Sequence, residues 1–312
     1  MIFLRDVRWM LNSWYEQRIV AAPVKLLLMP FAMLYDFLEK HTKLLPITIE
    51  KVNLVLTPRC TLRCKKCCNL MPYHKNPADF TYEDVLQDAK DLLKIVRKVK
   101  CLQLLGGEPL LFKNLPQLLD YLKNERKIKK ILLVTNGTII PSAELLSALK
   151  HRKVQVIISN YVKLNTKINE VFTLCRQYNI NVRLEGLVWR DMDFSINKQR
   201  TCEENQRIFT ECYRECHELF NGEYHLCSRS SNATFIGMVA RNDGDYANIR
   251  HNNNREKRKK AKEELRKILL RTKYITACEH CMGNRPDNPI IVDAEQLPFN
   301  TYLDFNGNIV QK

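Results

Sequence analysis

Cys60, Cys64 and Cys67 lie within eight residues, separated by three and then two positions. One short loop can therefore wrap three thiols around three corners of a cube. A cubane 4Fe–4S cluster has four irons, so three Cys ligands leave one iron open to a substrate or cofactor. A structural zinc would want a fourth ligand close by. Cys68 serves poorly, because it directly follows Cys67 and must point elsewhere. A zinc knuckle, or unligated thiols, is the alternative for this loop. A second thiol group comprises Cys212, Cys216, Cys227 and the Cys278-Glu-His-Cys281 turn. Asn221-Gly222 is a strong hairpin signal that sets Cys216 and Cys227 on facing arms. Five thiols compete for about four positions on a cubane. Cys216, Cys227, Cys278 and Cys281 are the preferred ligands, with Cys212 in reserve. A Cys₄ zinc site uses the same spacing and is the alternative there.

These thiols need a scaffold, and the sequence supplies one. From residue 52 onward, short apolar runs alternate with helical patterns. Val52–Leu56 is the first predicted strand and delivers the first Cys loop from its C-terminal end. Thr81 caps a helix with Asp84 three residues on, and Val85, Ala89, Leu92, Leu93, Val96 and Val99 share one helical face. Strands are predicted at Leu102–Leu105, Ile131–Thr135, Val154–Ser159 and Asn181–Leu184, with helices near 115–126, 141–151 and 166–178. Buried apolar strands with crossover helices make a parallel α/β sheet, doubly wound or closed as a barrel. Ligand sites in such folds gather at the C-terminal ends of the strands. Three polar motifs fall at such ends: Gly106-Gly107-Glu108-Pro109, Thr135-Asn136-Gly137-Thr138, and Ser159-Asn160. Two glycines let backbone approach a ligand closely, and an adjacent carboxylate can accept from an ammonium.

A three-Cys loop followed by Gly-Gly-Glu-Pro resembles the radical S-adenosylmethionine (SAM) enzymes over residues 50–190. The resemblance implies a partial (βα)₆ barrel and a 4Fe–4S cluster on Cys60, Cys64 and Cys67. It also implies SAM on the open iron, near Gly106, Gly107, Glu108, Asn136, Ser159 and Asn160. Reductive cleavage of SAM would then yield a 5′-deoxyadenosyl radical, with an electron donor of flavodoxin or ferredoxin type. One departure stands out: family members carry an aromatic just before the third Cys, and this chain has Lys66. The later Cys group is similar to the short twitch version of the SPASM extension, which implies a second, auxiliary 4Fe–4S cluster able to accept a substrate electron. The expected organisation is an N-terminal helical segment at 1–48, a core barrel at 49–205 and a twitch-like extension at 206–312.

The chain is 312 residues long, 45% hydrophobic, with twelve Cys and a formal charge of +16. Clustered Cys without a recognisable signal peptide favour metal ligation in a reducing cytoplasm over a disulfide framework. The basic balance suits an anionic small-molecule substrate, and no zinc-finger, helix-turn-helix or RNA-binding aromatic signature accompanies it. Leu26–Leu34 is far short of the roughly 20 apolar residues needed to cross a bilayer. Helices packing on the main domain are expected over residues 1–40, with peripheral contact at the inner membrane face as the sharper alternative. Cys101 and Cys175 are expected in the core, the role of Cys202 is open, and Asn306-Gly307 is a second hairpin turn.

Two enzyme classes follow. One oxidises or epimerises a sugar, aminocyclitol or nucleotide sugar. The other is a peptide or protein maturase, although many of those use a longer extension with two auxiliary clusters, and no Cys follows Cys281 here. A non-catalytic iron–sulfur or zinc protein is the third possibility.

Overall fold

The computed structural model describes Pro30 and residues 46–312, apart from 162, 163, 165, 166, 187, 195 and 214–216. The expected N-terminal helices, their membrane contact and Cys216 therefore lie outside the described residues, Pro30 excepted. No helix among the described residues is long and apolar enough to cross a membrane.

Five parallel strands form in chain order: β1 Thr48–Val55, β2 Lys98–Leu105, β3 Ile128–Thr135, β4 Val154–Ser159 and β5 Val182–Glu185. Their register stacks apolar residues side by side, with Leu54 opposite Leu104, Leu104 opposite Leu133, and Leu133 opposite Val156. Val52, Leu54, Leu104 and Leu133, which share one face, are at most 1% exposed, and Val55 and Leu132 are buried on the other. Helices α1 Tyr82–Ile95, α2 Leu115–Asn124, α3 Ala143–Leu149 and α4 Ile168–Gln177 make the crossovers. Thr81 caps α1 by accepting from the Asp84 backbone N–H, and Leu118, Leu119 and Leu122 on α2 are wholly buried. Each such Leu contributes about 1.5–3 kcal/mol of burial, so the crossover helices are fixed by their inner faces. The result is the partial barrel expected from the sequence.

A sixth parallel strand, β6 Glu218–Phe220, lies beyond those predicted one by one and pairs with β1, at the opposite side of the sheet from β5. It turns through Asn221-Gly222 into antiparallel β7 Glu223–His225, which pairs in turn with β8 Tyr246–Asn248. Asn221 and Gly222 both have positive φ, 47° and 84°, as a tight hairpin of this type requires. Between these elements lie α5 Cys202–Glu211, α6 Ser228–Phe235 and α7 Arg255–Leu269, and β9 Thr301–Leu303 with β10 Ile309–Gln311 closes the second expected hairpin.

Two buried acids of α1 bind the extension to the barrel. Asp88 accepts from Arg250 Nε and Nη2 at 2.7 and 2.8 Å and from the Gly222 N–H at 2.8 Å. Asp91 accepts from the His251 N–H at 2.7 Å. Paired charges and a continuous sheet make Thr48–Lys312 one compact unit, with Met1–Ile47 as another.

Candidate functional site

The first Cys loop leaves β1 and is braced by backbone from β2. The Gly107 N–H donates to Thr57 O and the Glu108 N–H to Arg59 O, both at 2.8 Å. The glycines are required by this contact: a Cβ on Gly106 would sit 2.3 Å from Thr57 O, and one on Gly107 would sit 2.0 Å from Arg59 O. Glu108 is fully buried and its two oxygens are already engaged. Oε1 accepts from Leu110 N (3.1 Å) and Thr135 Oγ1 (2.8 Å), and Oε2 from Asn136 N (2.8 Å). Burial raises its carboxyl to about 7 against these hydrogen bonds. It thus ties the end of β2 to the end of β3. Asn136 turns back onto the Cys loop, its Nδ2 donating to Thr61 Oγ1 at 3.0 Å and reaching Cys60 Sγ at 3.7 Å.

The charge of Cys64 adds to the upward shift of Cys60, and those of Cys64 and Cys60 add to that of Cys67. Burial is the larger effect and pushes Cys60 and Cys67 up to about 12, with Cys64 also raised. Such thiols are neutral near pH 7 without a cation, and binding a metal displaces their protons. N–H donors already aimed at the sulfurs suit the ligated form: Leu62 N at 3.4 Å on Cys60, and Gln296 Nε2 at 3.2 Å on Cys64. Hydrogen bonds to the sulfurs are one of the means by which a protein tunes such a cluster. Gln296 comes from the C-terminal segment, which bridges the loop as Lys65 N donates to Glu295 O and Leu297 N to Arg63 O. Nothing in the sequence pattern announced that cover.

Ser159 and Asn160 end β4, and Tyr161 follows them with its ring edge-on to Trp189 at 5.7 Å. Burial raises the Tyr161 phenol, and the thiolates of Cys68, Cys64 and Cys67 add to the shift. Tyr161 from the β4 end, backed by Trp189 from beyond β5, therefore stands beside the loop whose own pre-Cys position holds Lys66. Lys66 instead pairs with Asp191 at 3.0 Å. Cys68 is exposed, yet desolvation pushes its thiol up to about 12. Beyond it, Glu218 is wholly buried, accepts from Ser231 Oγ at 2.5 Å, and is raised by burial to about 7.

The second thiol group assembles around Cys212. Cys227, Cys278 and Cys281 each feel the Cys212 thiolate, Cys227 and Cys278 also feel Cys281, and Cys278 feels Cys227. Burial raises all three, Cys227 to about 12. Cys212 caps the end of α5, and its Sγ accepts from Asn284 N at 3.2 Å, while Cys281 Sγ accepts from Gly283 N at 3.3 Å. The described residue in the fourth position is thus Cys212, the reserve choice of the sequence; the preferred Cys216 lies outside the described residues. Arg200, which sequence reasoning missed, clamps the Cys-x-x-Cys turn with Nη2 on Cys278 O (2.7 Å) and Cys281 O (2.9 Å). Among the described residues no three His, Cys, Asp or Glu gather as a single metal ion would require. The donor set, seven thiols in two buried groups with N–H donors on several sulfurs, fits two iron–sulfur clusters. A cavity of about 570 Å³ is lined by Tyr73, His74, Phe80, Phe235 and Phe305 among others and by no thiol. We place the chemistry at the thiols, because that cavity gathers no donor set. Cys175 is buried in α4 and Cys101 half-buried in β2, as expected; Cys202 is exposed and accepts from Tyr274 Oη at 3.5 Å.

Comparison with known proteins agrees with this geometry. The Radical SAM superfamily model matches residues 54–186. A GTP 3',8-cyclase of Syntrophomonas wolfei is 34% identical over 107 residues, covering 33% of this chain and 30% of that protein. The GTP 3',8-cyclase of Aquifex aeolicus is 33% identical over 142 residues, covering 44% and 41%. The chain thus spans less than half the length of these curated relatives. Among solved structures, BtrN in complex with AdoMet and 2-DOIA is 15% identical, covering 85% of this chain and 100% of that one at a TM-score of 0.44.

Proposed function

We propose that the radical SAM domain formed by residues 54–186 abstracts hydrogen from an anionic, carbohydrate-type small molecule and that the net reaction is an oxidation. Cys60, Cys64 and Cys67 would hold a 4Fe–4S cluster and leave one iron for SAM. When bound, cluster and SAM supply one-electron cleavage of the sulfonium and so a 5′-deoxyadenosyl radical. The chain's own residues do the positioning. Glu108 and Asn136 lock the ends of β2 and β3 onto the Cys loop, which leaves the Gly106-Gly107 edge to present backbone to the cofactor. Ser159 and Asn160 sit at the next strand end. Tyr161 and Trp189 wall the loop and exclude water, as radical chemistry requires.

The observation that carries the oxidative reading is the second group, in which Cys212 lies within electrostatic reach of each of Cys227, Cys278 and Cys281, and N–H donors already sit on the sulfurs of Cys212 and Cys281. These four would hold an auxiliary 4Fe–4S cluster. Replacing Cys278 and Cys281 by Ala is expected to leave about four of about eight irons per chain, to preserve SAM cleavage, and to abolish oxidised product. Metal analysis that finds about one zinc beside four irons in the unmodified protein would sink the auxiliary cluster and favour a redox-neutral reaction such as epimerisation. A second reading, cyclisation of a purine nucleotide, is favoured by the names of the partial relatives. Incubation with GTP separates the two.

A further inference from the structure

The five barrel strands run parallel, so their N-terminal ends gather at one rim, opposite the rim that carries the Cys60 loop. That N-terminal rim is basic. Register sets Lys100 of β2 between Glu50 of β1 and Lys129 of β3. Arg152 lies two residues before Val154, which pairs with Ile131, so it stands level with Lys129. Lys100, Arg126, Lys129, Lys130 and Arg152 are exposed. Of the acids at this end, Glu50 takes Lys100 at 2.6 Å and Asp120 takes Lys123 at 2.5 Å. Arg126, Lys129, Lys130 and Arg152 have no ion-pair partner among the described residues.

Two other cations here serve the fold. Lys127 Nζ donates to Val96 O at 2.9 Å and Lys153 Nζ to Glu125 O at 2.8 Å. Both carbonyls belong to the C-caps of crossover helices, where positive charge is favourable. The exposed four have no such role. Like charges side by side on neighbouring strands are unfavourable. Burial and then Lys129, Lys100 and Arg97 hold the Lys98 ammonium below its ordinary value, and burial, Arg152 and Lys129 do the same to Lys153. Neighbouring strands lie about 4.8 Å apart, so these charges spread over a face and do not converge on one point. A broad anionic surface matches that spread better than a small anion does. The sequence that runs into β1 at this same rim carries Trp9, Trp14 and the apolar run Leu26–Leu34, and Trp is enriched at membrane interfaces.

We propose that this basic rim lies against an anionic lipid surface, with the sequence before β1 supplying the apolar contact. Apolar area and attraction to anionic lipid add in binding of this kind. The Cys60 loop, at the other ends of the strands, then faces away from the lipid and stays open to substrate.

Co-sedimentation of the iron-loaded full chain with vesicles tests this, using phosphatidylcholine alone and phosphatidylcholine with about a third phosphatidylglycerol. Binding to the anionic vesicles is expected, and it should weaken as salt rises. Lys129→Glu, Lys130→Glu and Arg152→Glu together should weaken it at least about tenfold at unchanged iron content. The same charge change at exposed Lys113, Lys273 and Lys312, which lie outside this rim, should leave it within about twofold. No binding to anionic vesicles, binding retained by the rim variant, or equal loss in both variants would overturn the proposal. So would duplex DNA bound in place of vesicles at the same salt, which assigns the rim to nucleic acid. Should the rim variant fail to fold, acetylation of the unmodified chain decides. Protection of Lys129 and Lys130 by anionic vesicles supports the contact, and labelling at the same rate with and without them refutes it.

Discussion

Alanine at Cys60, Cys64 and Cys67 together is expected to remove all reductive cleavage of SAM and about half of the iron. The reason is the construction of the loop. Three thiols share one short loop, the sulfurs of Cys60 and Cys64 receive N–H donors from Leu62 and Gln296, and the ends of β2 and β3 are locked against the loop. Cys68 is a poor replacement because it directly follows Cys67 and points elsewhere, and the second group is drawn to the turn at Cys278–Cys281. The checks are iron content after anaerobic reconstitution and 5′-deoxyadenosine under a low-potential reductant. A triple variant that still cleaves SAM would remove this loop from the site.

Gly107→Ala is expected to have the next largest effect, although it touches no thiol directly. Its Cβ would lie 2.0 Å from Arg59 O and 2.9 Å from Cys60 Cβ. Backbone of a buried parallel strand end cannot retreat, so β1 and β2 must separate and the Glu108 N–H to Arg59 O bond is lost. Such overpacking costs about 3 kcal/mol, read as a fall in the denaturation midpoint. Cys60 is displaced with Arg59, so iron loading of the first group should fall as well. Gly186→Ala is the control, since a Cβ there meets nothing within 4 Å. If Gly107→Ala unfolds and loads iron like that control, the brace between β1 and β2 is not what shapes the loop.

The contrast between these glycines shows how much of the molecule its sequence revealed. The Gly106-Gly107 motif was legible, and so was its place at a strand end, but the glycines were assigned to close approach by a ligand. In the fold they admit the backbone of Thr57–Arg59. β4 was legible to the residue, because Val154, Val156, Ile157 and Ile158 crowd one six-residue run. β2 and β3 begin three or four residues earlier than their apolar runs, at Lys98 and Ile128, where lysines line the outer ends of the strands. The sixth strand could not be placed, since pairing with β1 rather than β5 depends on a long connection with no periodicity of its own. The Asn221-Gly222 turn was legible from two residues. The fourth thiol of the second group was not fixed by it, because Cys212 is positioned by the end of α5 and by Asn284, seventy-two residues away. Arg200 and Gln296 likewise act across 78 and 232 residues. Their residue types are common, and only tertiary structure distinguishes them.

The central claim is that the Cys60 loop carries a cluster that opens SAM. The most direct measurement is production of 5′-deoxyadenosine and methionine by the unmodified, anaerobically reconstituted chain with a low-potential reductant, quantified alongside iron and acid-labile sulfide. The account predicts both products, dependent on reductant, from protein holding about eight irons and as many sulfides. Protein that binds that iron and sulfide yet forms no 5′-deoxyadenosine would contradict it.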